Sequence, residues 1–84
     1  MAHSTATTVI IPVLNGEEFI IEALTSVLSQ LNREDEIVVV DDGSTDRTRR
    51  LLQHHDSRVL VIDGPRRGPS AARNAALAVA RGAL

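Results

Sequence analysis

The segment Ile37–Asp46, with the sequence IVVVDDGSTD, joins a buried strand to the polar residues of a candidate ligand site. Its first four residues, Ile37–Val40, are all β-branched, which is typical of a strand buried on both faces in a parallel sheet. Asp41 and Asp42 follow at the carboxyl end of this strand, where open α/β sheets bind their ligands. The alternative is that the two aspartates only solvate a loop and cap the helix that the final Ser-Thr-Asp predicts.

The length and composition indicate one small soluble domain. A chain of 84 residues buries somewhat more than about 60% of its unfolded surface. Phe19 is the only aromatic residue, so the core must consist of Val, Ile, Leu and Ala. The net charge of −2 and the lack of base-stacking aromatics do not indicate a surface that binds nucleic acid or an anionic membrane.

The cysteine and histidine content argues against disulfides and metal sites. The chain has no cysteine, and its three histidines are too few and too badly spaced to bind a metal. We expect His54 and His55 to lie at a solvated helix end. No apolar run approaches the ~20 residues of a membrane span, and the amino terminus does not resemble a signal peptide, so we expect a cytoplasmic protein.

The hydrophobic pattern alternates between strand and helix periods along the whole chain. We predict strands at 7–14, 37–40 and 59–62, and helices at 17–31, 46–54 and 71–81. This β-α-β-α-β-α order predicts the α/β class, with a three-stranded parallel sheet and helices on both faces. Half of a doubly wound fold is missing from this order, so we expect residues 1–84 to form a single partial domain. Residues 1–6 are expected to be flexible.

Local signals refine the ends of these elements. Pro12 is predicted at the carboxyl tip of the first strand, because proline cannot donate to a paired strand. Asn15 and Glu18 have the spacing of a capping box for the first helix. Ser70 is the predicted cap of the last helix, and Gly82 its terminator.

The second predicted helix carries three arginines. We expect Arg47, Arg49 and Arg50 to form a solvated face rather than a phosphate site. Leu51 and Leu52 are expected to face the core on the opposite side. The helix is therefore predicted to be amphipathic but short.

Four segments resemble the N-terminal portion of family 2 glycosyltransferases, which are inverting nucleotide-sugar enzymes with the GT-A fold. The matching segments are Val9–Asn15, Ser26–Gln30, Glu36–Asp46 and Gly68–Asn74. They occur in the family's order and at about its spacing. The resemblance implies that the chain is the truncated, Rossmann-like nucleotide-binding half of that fold.

The resemblance also implies a set of nucleotide-binding residues. These are Pro12, Val13, Asn15, Glu17, Asp41, Asp42, Gly68 and Arg73. In the family, the backbone at Pro12 and Val13 lies beside the base, and Asp42 accepts a hydrogen bond from the ring N–H. Glu17 is expected near the ribose. Gly68 allows the loop to approach the ligand, and Arg73 lies near the phosphates.

The chemistry of the residues agrees with two of these implied roles. A carboxylate can only accept hydrogen bonds, so Asp42 would select uracil, thymine or guanine, which present an imide N–H. Arg73 is predicted in the first helical turn, where backbone N–H groups and the helix dipole favour phosphate. The alternative is an exposed arginine on an alanine-rich helix. The implied partner is a nucleoside diphosphate sugar of the UDP, dTDP or GDP type.

Two departures from the family pattern limit the expected activity. Leu14 stands where the family usually has an aromatic that stacks on the base. The chain also lacks the family's Asp-x-Asp motif, which holds a divalent metal and the diphosphate, and the catalytic base. We therefore expect this chain to bind no cofactor and to be inactive alone, and the complete enzyme to use Mg²⁺ or Mn²⁺.

Other nucleotide-binding classes do not fit. The first strand is not followed by G-x-G-x-x-G, which excludes a dinucleotide-binding domain, and a P-loop or phospho-receiver domain needs a lysine that the chain lacks. Two hypotheses remain: the donor-binding piece of a glycosyltransferase, or a non-catalytic nucleotide-binding or assembly module.

The first strand is expected to form an open edge. In the sheet order that the resemblance implies, a fourth strand, absent here, pairs with the first. Thr7–Ile11 is apolar and uncharged, unlike most natural edges. We therefore predict a homo-oligomer whose first strands pair across a two-fold axis.

Overall fold

Six elements follow one another in the predicted order. The computed structural model describes residues 6–53 and 56–80. The elements are β1 (Thr8–Val13), α1 (Ile20–Leu28), β2 (Glu36–Asp41), α2 (Thr48–Leu51), β3 (Val59–Asp63) and α3 (Pro69–Val79). The predicted α/β class with alternating strands and helices is confirmed.

The three strands form one parallel sheet in the order β1-β2-β3. All six residues of β2 are buried, as the β-branched run predicts for a central strand. Pro12 is paired in register with Val40 and lies one residue before β1 ends, so it is inside the paired strand and not at its tip as predicted. Proline is tolerated there because β1 is an edge strand.

The side chains of β2 alternate between two cores. Ile37 and Val39 face the side that α1 and α2 cover, whereas Val38 and Val40 face α3. The first core also contains Ile20, Leu24, Leu52 and Val59, and the second contains Ala72 and Ala76. Helices therefore cover both faces of the sheet, as predicted.

The start of α1 differs from the prediction. The helix begins at Ile20, its N-cap position is Phe19, and no side chain caps it, so the predicted capping box of Asn15 and Glu18 is wrong. Instead, the carbonyl of Gly16 accepts from the N–H groups of Phe19 and Ile20, at 3.0 and 2.8 Å. Asn15 adopts a left-handed conformation, with φ of 53°, and its side chain bonds elsewhere.

The start of α3 also differs from the prediction. Ser70 is not the cap: the cap position is Gly68, whose φ of 95° suits glycine, and Pro69 is the first helical residue. This arrangement uses the fixed φ of proline at a position that needs no N–H. Arg73 is consequently the fifth residue of α3, beyond the predicted first turn. The helix ends at Val79, and the predicted terminator Gly82 lies outside the described residues.

The second helix has four residues instead of the predicted nine. It begins late because Asp46 accepts a hydrogen bond from the Thr48 N–H in a turn that precedes the helix. Leu52 is buried and Leu51 half-buried against the first core, so their inward direction is confirmed. The prediction for His54 and His55 lies outside the described residues, as does that for residues 1–6 except for Ala6.

No helix in the described ranges is long and apolar enough to cross a membrane.

Candidate functional site

The candidate site lies at the carboxyl ends of β1 and β2. Asp42 directly follows β2, and its N–H donates to the carbonyl of Val13 at 2.9 Å, which ties it to the end of β1. Beside it lies a pocket of about 230 Å³ between β1 and the start of α3. Its lining residues are Pro12, Val13, Leu14, Asp42, Gly68, Pro69 and Ala72. Four of the eight predicted site residues therefore share one pocket.

The loop between β3 and α3 fixes the carboxylate of Asp42. Its Oδ1 accepts a hydrogen bond from the backbone N–H of Arg66 at 2.6 Å. Arg66 itself has a φ of 59°, in the left-handed region. Gly64 leaves room for the carboxylate, because a Cβ there would lie 2.5 Å from Oδ1. Among the described residues, Arg66 is the only hydrogen-bond partner of this side chain, so Oδ2 is free.

Asp41 has a different environment from Asp42. It is buried, and its Oδ1 accepts from the Ser44 N–H at 3.0 Å, which orders the loop after β2. Its Oδ2 lies 3.6 Å from the guanidinium of Arg49, which also contacts Asp63 on β3. Asp41 lines a neighbouring cavity rather than the Asp42 pocket. This contact pattern supports the loop-ordering alternative for Asp41.

Asn15 joins two strand-end loops that are distant in sequence. Its Oδ1 accepts from the N–H groups of Thr45 and Asp46 at 2.8 and 3.3 Å. Its own N–H donates to the hydroxyl of Ser44 at 2.9 Å. The structure thus places the predicted site residue Asn15 in a brace between the β1–α1 and β2–α2 loops.

Two further side chains complete this brace. The Thr48 hydroxyl, which is fully buried, accepts from the Gly16 N–H at 2.8 Å, and Asp46 Oδ2 accepts from the Glu17 N–H at 3.2 Å. Burial by itself raises the pKa of Asp46, but hydrogen bonds from Thr48 and from the Glu17 N–H outweigh it and hold that pKa below its ordinary value. The charged form of Asp46 therefore stabilises the joined loops.

The last two predicted residues lie outside the pocket lining. The carboxylate of Glu17 pairs with the Nε of Arg47 at 2.9 Å, and the Arg73 side chain is exposed on α3. Arg47 and Arg49 are exposed, as predicted, but each is ion-paired rather than simply solvated. Contact of Glu17 with ribose and of Arg73 with phosphate stays a prediction.

Three residues that matter to the site were not predicted. Gly64 and Arg66 hold Asp42, and Thr48 anchors the brace. A glycine in a loop was the only available signal for Gly64. The left-handed Arg66 gave none, since that conformation favours Gly or Asn. The sequence indicated only an ordinary helical residue at Thr48.

Cavity size does not identify the site. A larger cavity, of about 390 Å³, lies at the amino ends of the strands and is lined by charged residues such as Asp35 and Arg58. Both side chains already have partners there. Asp35 accepts from the backbone N–H groups of Thr7 and Asn32, and Arg58 donates to Asp56. Across residues 6–53 and 56–80, no group of three His, Cys, Asp or Glu side chains could hold a metal ion.

Comparison with known proteins identifies the family. The model of "Glycosyl transferase family 2" matches residues 8–84. An uncharacterized glycosyltransferase of Rickettsia felis is 43% identical over 74 residues, which are 86% of this chain and 12% of the relative. The succinoglycan biosynthesis protein ExoA of Rhizobium meliloti is 44% identical over 81 residues, which are 89% of this chain and 24% of the relative.

A solved structure agrees with these relatives. The mannosyltransferase PcManGT from Pyrobaculum calidifontis, in complex with GDP-Man and Mn²⁺, matches with a TM-score of 0.80 and 34% identity. The match covers 95% of this chain and 26% of the mannosyltransferase. The chain thus spans about a quarter or less of the length of these relatives. The predicted resemblance is confirmed, and the chain belongs to glycosyl transferase family 2.

Proposed function

We propose that this chain is the donor-binding part of an inverting glycosyltransferase, which transfers a sugar from a nucleoside diphosphate sugar to an acceptor hydroxyl. The observation that carries the proposal is the pocket beside Asp42, in which a carboxylate with one free oxygen stands at the carboxyl end of the central strand. Family membership supports transferase chemistry, and the related mannosyltransferase was solved with a nucleotide sugar, GDP-Man.

The pocket has the chemistry of a slot for a nucleobase. Its walls are apolar side chains from the end of β1 and the start of α3, and its one polar side chain is Asp42. Apolar walls favour the faces of a flat ring, and a few polar groups fix its orientation. A carboxylate accepts hydrogen bonds only, so it favours a base that presents a ring N–H at this position.

A nucleotide titration followed by NMR tests the proposal. UDP, dTDP or GDP should shift the backbone signals of Asp42 and Val13 at concentrations where ADP does not, because adenine presents no ring N–H on its pairing edge. Equal shifts with ADP, or shifts confined to the opposite end of the sheet, would contradict the proposal. The exposed variant Arg33→Ala, at that opposite end, is the matched control and should bind like the parent chain.

We also propose that this chain does not turn over the donor by itself. Its sequence contains no Asp-x-Asp, and the donors of the described residues do not form a metal site, so we assign them no metal-dependent step. Mn²⁺ in the related mannosyltransferase supports the prediction that a complete enzyme uses Mg²⁺ or Mn²⁺. Sustained donor hydrolysis or transfer that copurifies with the chain would refute this proposal.

The homo-oligomer remains a proposal. Its support is the position of β1 at the edge of the sheet, where Val9, Ile10 and Ile11 are only half-buried. Pairing of two such edges would cover apolar surface and unpaired backbone groups. Analytical ultracentrifugation should show a dimer that Ile10→Lys disrupts, and a well-folded monomer at tens of micromolar would refute it. The cytoplasmic location also stays a prediction.

A further inference from the structure

We propose that the site prefers uracil or thymine to guanine, and that the loop at residues 64–66 sets this preference. The inference rests on the proposed function, since it assumes that a nucleobase occupies the Asp42 pocket. It goes further because the imide chemistry of an aspartate alone admits all three bases. The distinction comes from how many oxygens the carboxylate turns toward the pocket.

The first step is that one oxygen of Asp42 is held toward the 64–66 loop rather than the pocket. Oδ1 accepts the Arg66 N–H at 2.6 Å and packs against Gly64, where a Cβ would lie 2.5 Å away. Neither Gly64 nor Arg66 lines the pocket; both line the neighbouring cavity. Oδ1 is therefore turned toward the 64–66 loop, and Oδ2 is the oxygen that remains for a ligand.

The second step is that the bases differ in their number of adjacent donors. Guanine presents a ring N–H next to an exocyclic amino group, and this pair matches a carboxylate that offers two oxygens side by side. Uracil and thymine present a single ring N–H between two carbonyls. One oxygen on the pocket side therefore satisfies the only donor of uracil or thymine, whereas it leaves one donor of guanine without a partner.

The third step is that the pocket has no other side chain to accept that donor. Apart from Asp42, its lining side chains belong to proline, valine, leucine, glycine and alanine. A donor that loses water without gaining a partner carries a desolvation penalty. Guanine would bear this penalty in the slot and the pyrimidines would not. Adenine and cytosine cannot donate to Asp42 from the ring, because each presents a ring acceptor instead of a ring N–H.

Dissociation constants of UDP, dTDP, GDP and ADP, measured by titration of the chain, test the inference. We expect UDP and dTDP to bind about tenfold more tightly than GDP, as for one unpaired donor, with ADP weaker still. Equal or tighter binding of GDP, with ADP still excluded, would overturn the inference but leave the proposed function intact. Equal binding of all four nucleotides would overturn both.

The variant Asp42→Asn gives a sharper test at a half-buried position. The Arg66 N–H would fix the amide oxygen in the place of Oδ1, so the amide NH₂ would face the pocket. A donor in that position suits the ring nitrogen of cytosine, and we expect the preference to change from UDP to CDP. Retention of the UDP preference, or a new preference for GDP, would contradict the assigned orientation.

The variant Gly64→Ala tests the role of the loop. Its methyl group would displace Oδ1, so the ratio of UDP to GDP affinity should fall toward one. Arg67→Ala, an exposed change in the same loop, is the matched control and should keep the ratio of the parent chain. If Gly64→Ala fails to fold, Asp42→Asn decides the inference alone. An unchanged ratio in folded Gly64→Ala would show that the loop does not set the preference.

Discussion

The two ends of the sheet each hold an aspartate beside a cavity, yet only one has the features of a binding site. Asp35 lies at the amino ends of the strands, beside a cavity of about 390 Å³. Asp42 lies at the carboxyl ends, beside a pocket of about 230 Å³. Volume alone does not distinguish the two ends, because the carboxyl end also holds a cavity of about 380 Å³ that Asp41 lines. The comparison therefore depends on what each carboxylate already binds.

Both oxygens of Asp35 are engaged by the chain. Oδ1 accepts from the Thr7 N–H at 2.9 Å, and Oδ2 accepts from the Asn32 N–H at 2.8 Å. These hydrogen bonds from Asn32 and Thr7, with a smaller contribution from the charge of Arg58, hold the pKa of Asp35 below its ordinary value against the effect of burial. Such a carboxylate fastens the start of β1 to the loop before β2.

Asp42 has one oxygen that accepts from the chain and one that does not, and the residue lines the pocket. Among the described residues no buried side-chain nitrogen or oxygen lacks a hydrogen-bond partner, so this free oxygen is accessible and can accept from a ligand. The lesson of the two ends is that hydrogen bonding distinguishes the two aspartates, whereas cavity volume does not.

The largest expected effect concerns the brace at the carboxyl end. Thr48→Val removes the hydroxyl that accepts the Gly16 N–H at 2.8 Å and keeps the shape of a fully buried side chain. A buried donor without a partner costs about 1–3 kcal/mol. We expect the free energy of unfolding, measured in urea, to fall by about that amount and nucleotide affinity to fall with it.

A matched control is available for this prediction. Thr25 is exposed on α1 and donates only to the Ile21 carbonyl within its own helix. Thr25→Val should change the free energy of unfolding by at most about 0.5 kcal/mol. Equal effects of the two variants would mean that the brace contributes nothing beyond an ordinary surface threonine.

Much of the fold could be predicted from the sequence because its signals are local. Four β-branched residues identified the central strand, and the alternation of hydrophobic periods identified the six elements. The position of Asp42 followed from the rule that α/β sheets bind ligands at the carboxyl ends of strands. These inferences needed only neighbouring residues and general topology.

The rest of the site depends on contacts between distant residues. Asn15 has the spacing of a cap with Glu18, but its oxygen bonds 30 residues away at Thr45. Arg66 reaches Asp42 across 24 residues, through a backbone N–H that no side-chain pattern encodes. Local propensity cannot predict whether a polar group bonds to a residue near in sequence or to a distant one, because tertiary packing decides which of them is nearer in space.

A smaller effect is expected from the strained residue that holds Asp42. Arg66 has a φ of 59°, which costs about 1–2 kcal/mol for a residue with a Cβ, whereas glycine loses about 0.5–1 kcal/mol more entropy on folding. Arg66→Gly should therefore stabilise the chain by about 1 kcal/mol or less in urea unfolding. It keeps the N–H, so the preference between nucleotides should not change. Arg67→Gly, where φ is not positive, should instead destabilise the chain.

The smallest effect concerns pH and the amino end of the sheet. The folded-state pKa of Asp35 lies below its ordinary value of 3.8, so its charged form is favoured by folding. Its contribution to stability is fully present above pH 3.8 and is lost as the pH falls through the lowered folded-state pKa. Asp35→Asn removes this contribution, because an amide has only one oxygen and cannot accept from the Thr7 and Asn32 N–H groups on its two sides. The difference in urea midpoint between parent and variant should therefore be largest near pH 7 and should shrink in acid. A difference that stays constant from pH 7 down to about pH 2 would show that the Asp35 charge does not stabilise this end of the sheet.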